Sequence, residues 1–292
     1  MPFDGVMTAL VTPFRADGEV DREAYVALVK RQVAAGIQGL VPCGTTGEAP
    51  TLELDEHASV IRWTVEASGG VPVMAGIGSN STATAIRTAH AAREAGVQGV
   101  LATAPYYNKP SQEGLYRHFR AIAEAVPDLE VCVYDVPGRS AVAVGTDTVA
   151  RLSAIDNITC CKDATADLAK GAELIRATPS DFKVFSGDDF TTMPHAAMGG
   201  AGCVSVASNL IPERMVALVA AVKAGDLAGA AAENAALQPF FRSLFVQTNP
   251  LPVKTGLVLM GLCEEHFRLP LCPMDPGPRA AFEGALEELG LI

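Results

Sequence analysis

Short apolar runs recur along the chain at residues 6–11, 39–43, 72–76, 99–104, 130–134, 158–162, 183–186 and 203–206. Segments rich in Ala, Leu, Glu and Arg at helical spacing lie between them, as at 24–35 and 83–95. Continuous apolar runs alternating with amphipathic helices predict parallel strands buried on both faces. Eight such units fit a closed (β/α)8 barrel of the α/β class, with an open doubly wound sheet as the rival that periodicity leaves standing. An internal echo supports the regular repeat. Ala35-Gly36-Ile37-Gln38-Gly39 returns as Ala95-Gly96-Val97-Gln98-Gly99, each reading as a glycine-ended helix, a polar turn and a glycine-opened strand. After Ile211-Pro212 the pattern changes to Ala-rich helices at 213–223 and 227–245 and a final segment to Ile292. No Gly/Ser linker intervenes. The expected organisation is therefore a barrel carrying the active site over 1–211, then the last barrel helix and a packed C-terminal helical appendix over 212–292.

Composition narrows the function. A net charge of −11 and an isoelectric point near 4.9 give no general attraction to nucleic acid or anionic lipid. There is no apolar stretch long enough for a membrane span and no basic-then-apolar leader, so the expected location is the cytoplasm. An anionic substrate then needs local cations, which directs attention to isolated Lys and Arg residues. The seven cysteines show no C-x-x-C pairing, and the five histidines no zinc-site spacing. Buried reduced thiols are expected, and no metal.

In a barrel, reactive side chains project from the C-terminal ends of strands. Those positions read Gly44-Thr45-Thr46-Gly47-Glu48, Gly78-Ser79-Asn80, Tyr106-Tyr107-Asn108, Tyr134-Asp135-Val136-Pro137-Gly138-Arg139, Lys162-Asp163 and Gly187-Asp188-Asp189. Lys162 closes the apolar run Ile158-Thr159-Cys160-Cys161. Burial disfavours an ammonium, and a neutral lysine amine is a nucleophile for carbonyl carbon. The bland alternative is a strand that stops one residue early and leaves the ammonium in water. Amine addition to a ketone must shed water, which needs a proton donor and acceptor at hand. Tyr134 ends the neighbouring strand, and Tyr107 with Thr45 could relay protons to bulk. The bland reading of such tyrosines is an amphipathic lid on the core. The Gly44–Gly47 turn can aim N–H groups and two hydroxyls at a carboxylate, and it does not match a phosphate loop. Arg139 has the fork for a second carboxylate, or is a solvated loop arginine. The Asn249-Pro250-Leu251-Pro252-Val253-Lys254 run reads as a helix break, and Asp188-Asp189 as a helix cap; neither is expected to act in catalysis.

Taken together, six ordered motifs spanning residues 3–292 make the chain resemble the dihydrodipicolinate synthase/N-acetylneuraminate lyase family. They are the 44–48 turn, residues 105–116, 134–140, 162–165, 186–189 and 249–254. The resemblance implies a TIM barrel that joins pyruvate to L-aspartate-4-semialdehyde through a lysine Schiff base, for lysine and diaminopimelate biosynthesis. It implies that Lys162 forms the Schiff base and that Tyr134, Thr45 and Tyr107 relay protons, Tyr107 from a neighbouring subunit. Thr46 then holds the carboxylate of pyruvate and Arg139 that of the semialdehyde, with Gly187 and Val204 lining the pyruvate site. No cofactor is implied, and the assembly is a homo-oligomer, a tetramer built as a dimer of dimers. His57, Asn80 and Tyr106 match a lysine feedback site, but Leu54 and Thr84 stand where sensitive members often carry His and Glu. Cys160-Cys161 replaces the usual Gly-aliphatic pair before the lysine. The alternatives are another pyruvate-dependent aldolase, lyase or dehydratase/deaminase of the family, or a non-catalytic small-molecule-binding descendant, which would be expected to have lost Lys162 or Tyr134.

Overall fold

The computed structural model describes residues 2–292. Eight parallel strands, β1 (Gly5–Ala9), β2 (Gly39–Val41), β3 (Met74–Gly76), β4 (Gly99–Thr103), β5 (Glu130–Asp135), β6 (Ile158–Asp163), β7 (Lys183–Ser186) and β8 (Gly202–Ser205), form one sheet. Its order is β2-β1-β8-β7-β6-β5-β4-β3. The two end strands meet through the isolated parallel bridge Leu40–Val73, where Leu40 N–H donates to Pro72 O (3.0 Å) and Gly76 N–H to Pro42 O (2.9 Å). The sheet is thus a TIM barrel, and the open-sheet rival is excluded.

Parity along each strand divides the core in two. Met7, Ala9, Val41, Met74, Leu101, Cys132, Tyr134, Cys160, Phe185 and Val204 pack together within the barrel. Val6, Leu40, Val100, Val131, Val133, Cys161, Val184 and Cys203 face the surrounding helices. Both faces are apolar, which is why the strands read as unbroken runs. The Cys160-Cys161 pair follows the same alternation, one thiol inward and one outward. All seven cysteines are free, five of them buried; Cys272, against expectation, is exposed.

The echoed Gln38 and Gln98 do more than turn the chain. Gln38 Oε1 accepts from Val6 N–H (2.7 Å) and its amide donates to Gly36 O (2.8 Å). Gln98 makes the matching pair with Val73 N–H (2.9 Å) and Gly96 O (3.0 Å). Each glutamine satisfies a main-chain donor where a preceding strand begins, a requirement for any buried amide.

Beyond the barrel, helix Pro212–Lys223 covers β1, and helices Leu227–Ser243, Leu251–Leu259 and Pro276–Glu288 follow. Their residues Phe240, Phe241, Val253, Leu257, Phe282 and Leu286 belong to the same apolar cluster as the outer strand faces. One continuous core therefore joins barrel and appendix. No helix among the described residues is long and apolar enough to cross a membrane.

Candidate active site

Lys162 occupies an inward position of β6, two residues beyond Cys160, and β6 continues one residue past it to Asp163. The strand does not stop early. The Lys162 side chain is 6% exposed, in register with Tyr134 on β5 and Phe185 on β7. Its Nζ lies 4.2 Å from the centroid of the Tyr134 ring. The outward neighbours Asp135 and Asp163 are tied away from the cavity. Asp135 pairs with Lys170 and accepts from Val144 N–H (3.0 Å), while Asp163 accepts from the Thr165 hydroxyl (2.7 Å) and amide (3.0 Å).

A cavity of about 490 Å³ opens above these residues, lined among others by Lys162, Tyr134, Thr45, Thr46, Arg139, Gly187, Asp188 and Asn249. Close backbone approach shapes it. A Cβ at Gly76 would lie 2.2 Å from Cys43 O, so only glycine lets β3 pass beneath the 43–44 turn; one at Gly187 would lie 2.5 Å from the Ala164 Cβ. The turn itself is buttressed from the distant tail. Asn249 Nδ2 donates to Thr46 Oγ1 (3.0 Å), and Lys254 Nζ pairs with Glu48 (2.6 Å), both of the latter side chains fully buried. Arg139 donates to the Asn249 carbonyl (3.0 Å).

The two aspartates after β7 divide their work. Asp189 accepts from Ser205 Oγ (2.5 Å) and from the amides of Val206 (3.0 Å) and Ala207 (2.9 Å), fixing the turn that leaves β8. Asp188 lines the cavity, with one buried carboxylate oxygen lacking a partner among the described residues. Burial pushes its carboxyl up to about 6, with the Lys162 charge opposing that rise. The expected cap is not formed: Asp188 makes no side-chain capping bond to the helical turn that follows β7, Asp189 braces the turn after β8 instead, and Asp188 stands at the cavity wall. The helix-break reading of 249–254 is likewise incomplete: helix Leu251–Leu259 does begin there, but Asn249 and Lys254 also hold the cavity wall.

Not every expected residue meets in this space. Tyr107 is 88% exposed with φ 71° and does not line its own chain's cavity. Val204 is fully buried within the barrel rather than in the lining, where Val206 stands instead. His57 and Tyr106 do line the cavity, as do Leu54 and Thr84. Asn80 lies outside that lining, its carbonyl accepting from Asn108 (2.9 Å). Burial pushes the His57 imidazole below its usual range. Glu48, Asp188, Asn249 and Lys254 lie inside the family motifs, yet the sequence alone assigns them no part in the site.

The model of the Dihydrodipicolinate synthetase family matches residues 2–289. A Nitratidesulfovibrio vulgaris (strain DP4) protein named 4-hydroxy-tetrahydrodipicolinate synthase is 47% identical over 294 residues, covering all of both chains. A protein of the same name from Pelobacter propionicus is 47% identical over 291 residues, covering 99% of this chain and 100% of its own. The crystal structure of dihydrodipicolinate synthase from Aquifex aeolicus superposes with a TM-score of 0.97 at 39% identity, covering 99% of each chain.

Proposed function

The chain belongs to the dihydrodipicolinate synthetase family, and from that premise we infer that it condenses pyruvate with L-aspartate-4-semialdehyde to 4-hydroxy-tetrahydrodipicolinate, a step of lysine and diaminopimelate biosynthesis. The observation that carries the reading is Lys162, a buried lysine on the inner wall of the barrel, set against a tyrosine ring and facing a cavity.

In this mechanism Lys162 Nζ adds to the keto carbon of pyruvate, and the carbinolamine loses water to give an iminium. Tyr134 is the proton donor and acceptor for that loss, with Thr45 next in the relay. The iminium withdraws electrons from the methyl group, which gives up a proton to form an enamine. That carbon attacks the aldehyde of the second substrate. The amine of the semialdehyde then adds to the former keto carbon and expels Lys162, so that the net reaction releases one water. Thr46 and the turn amides serve the carboxylate of pyruvate, and Arg139 that of the semialdehyde. In an acidic protein whose cavity lining includes the Arg139 guanidinium as well as the Lys162 nucleophile, two carboxylate substrates suit the site better than a polyhydroxylated sugar.

Tyr107 completes the relay from a second copy of the chain in a dimer of dimers. A large aromatic side chain held almost wholly in solvent beside the cavity mouth supports that reading. His57, Asn80 and Tyr106 match positions of a feedback site in the same proposal, but the pattern of lysine-sensitive members is incomplete here. Leu54 and Thr84 offer no carboxylate to an amino group, so added lysine should leave initial rates unchanged; a saturable inhibition would contradict this.

Borohydride reduction in the presence of pyruvate should add mass to the peptide containing Lys162 and to no other. An adduct elsewhere, or none, would remove the mechanism. Supplying aspartate semialdehyde and sugar aldehydes in parallel separates the readings, and faster turnover of a sugar would overturn the substrate assignment.

A further inference from the structure

Asn249 comes from the tail yet touches both groups that the functional reading assigns to carboxylates. Its side-chain amide donates to Thr46 Oγ1 (3.0 Å), and its main-chain carbonyl accepts from Arg139 (3.0 Å). A hydroxyl has one proton to give and two lone pairs to receive with. When Asn249 fills a lone pair of Thr46, the hydroxyl proton stays free to point into the cavity, where a carboxylate oxygen can accept it. Donation from the amide also polarises the hydroxyl and makes it a better donor. The bracket is rigid. Asn249 is 7% exposed, and five residues later Lys254 is pinned to Glu48, two residues beyond Thr46 on the same turn. Two bonds thus clamp one turn and one helix start together. Among the described residues the Asn249 Oδ1 has no hydrogen-bond partner.

We propose that Asn249 is a positioning residue that holds the Thr46 hydroxyl as a donor to the carboxylate of pyruvate and, through its carbonyl, sets the reach of Arg139 toward the second carboxylate. The inference rests on the functional reading above and adds to it the residue that couples the two substrate subsites.

The test follows pyruvate saturation by borohydride trapping at Lys162, together with steady-state kinetics for both substrates. Asn249→Ala removes the amide and keeps the carbonyl. It should raise the pyruvate concentration for half-maximal trapping about 5- to 10-fold, as expected for one lost hydrogen bond. The KM for the semialdehyde should move less than about twofold, because the carbonyl still meets Arg139. Asn249→Asp should be worse than Asn249→Ala, since a carboxylate draws the Thr46 proton to itself and repels pyruvate. In a Thr46→Val background, Asn249→Ala should have no further effect, whereas a purely structural role would add in full. Unaltered pyruvate saturation in Asn249→Ala, a harmless Asn249→Asp, or full additivity with Thr46→Val would overturn the proposal. Should the wild-type protein form no adduct at all, the functional reading falls and takes this one with it; an adduct with normal saturation in the variants removes the Asn249 role alone.

Discussion

Replacing Lys254 with methionine isolates what one buried charge does for the whole molecule. Lys254 and Glu48 are both fully inaccessible and meet at 2.6 Å. The rings of Phe14 and Phe267 lie 4.2 and 5.0 Å from the ammonium. Methionine keeps an apolar stem for those rings but supplies no cation, and Glu48 is left as a carboxylate with one oxygen already unpartnered among the described residues. Removing one member of a buried pair costs about 3–5 kcal/mol, because the survivor stays desolvated without compensation. Unfolding entropy near ~2.1 cal/mol/K per residue converts that, over 292 residues, to a fall of about 5–8 °C in melting temperature. Calorimetry on Lys254→Met, Glu48→Gln and the double variant is the assay. The double variant should recover more than half of the single's loss, since no unpaired charge remains in it. A Lys254→Met protein melting within about 1 °C of the wild type would refute the reasoning. So would a double variant no more stable than the single.

Three further outcomes follow from groups already described. His118 is 5% exposed, bonded at Nδ1 to Thr82 Oγ1 (2.9 Å) with Nε2 unpartnered among the described residues, and burial pushes its imidazole down to about 4. The unfolded chain therefore takes up a proton near pH 6.5 that the folded one refuses, so stability is full above that pH and falls by about 3 kcal/mol toward pH 4. Urea titrations of His118→Asn should lack that acid limb, and an unchanged limb would count against it. For Asp188 the sign is opposite: a carboxyl raised to about 6 costs stability above that pH and nothing below about 4. Asp188→Asn should gain about 2–3 kcal/mol at pH 8 and lose that advantage as the pH falls, whereas a pH-independent change would contradict the burial argument. For Tyr107, subunits of Tyr107→Phe and Lys162→Ala dissociated and reassembled together should exceed the summed activities of the separate variants, because a mixed pair contains one intact site. A mixture no better than its components would exclude a shared site.

The barrel was readable because its strands are buried on both sides, which leaves long apolar words separated by glycine and helix. Strand ends were less so. Pro72 looks like part of β3 but lies ahead of Met74, serving the seam through its carbonyl alone. Lys162 stood out because a charged residue ended an apolar run, and the structure gives that position its inward direction. The same signal was present at Lys254 within Leu251-Pro252-Val253-Lys254-Thr255-Gly256-Leu257, but it was read as a helix break. Its carboxylate partner is 206 residues away in the chain, and Thr46 is 203 residues from Asn249. Local pattern carries no information about which distant turn a tail will meet. Asp188 was hidden for a related reason: nothing in its neighbours indicates whether a carboxylate after a strand turns toward helix or cavity.

The seam between β2 and β3, held at Leu40–Pro72 and Pro42–Gly76, is also the join whose outgoing loop carries Thr45 and Thr46. A hoop yields first where it is least stitched, so on the proposed reading thermal breathing at this seam should loosen the turn that carries Thr45 and Thr46. A ligand held by that turn should then act as a clasp, and amide hydrogens at Leu40 and Gly76 should exchange more slowly as it fills the mouth.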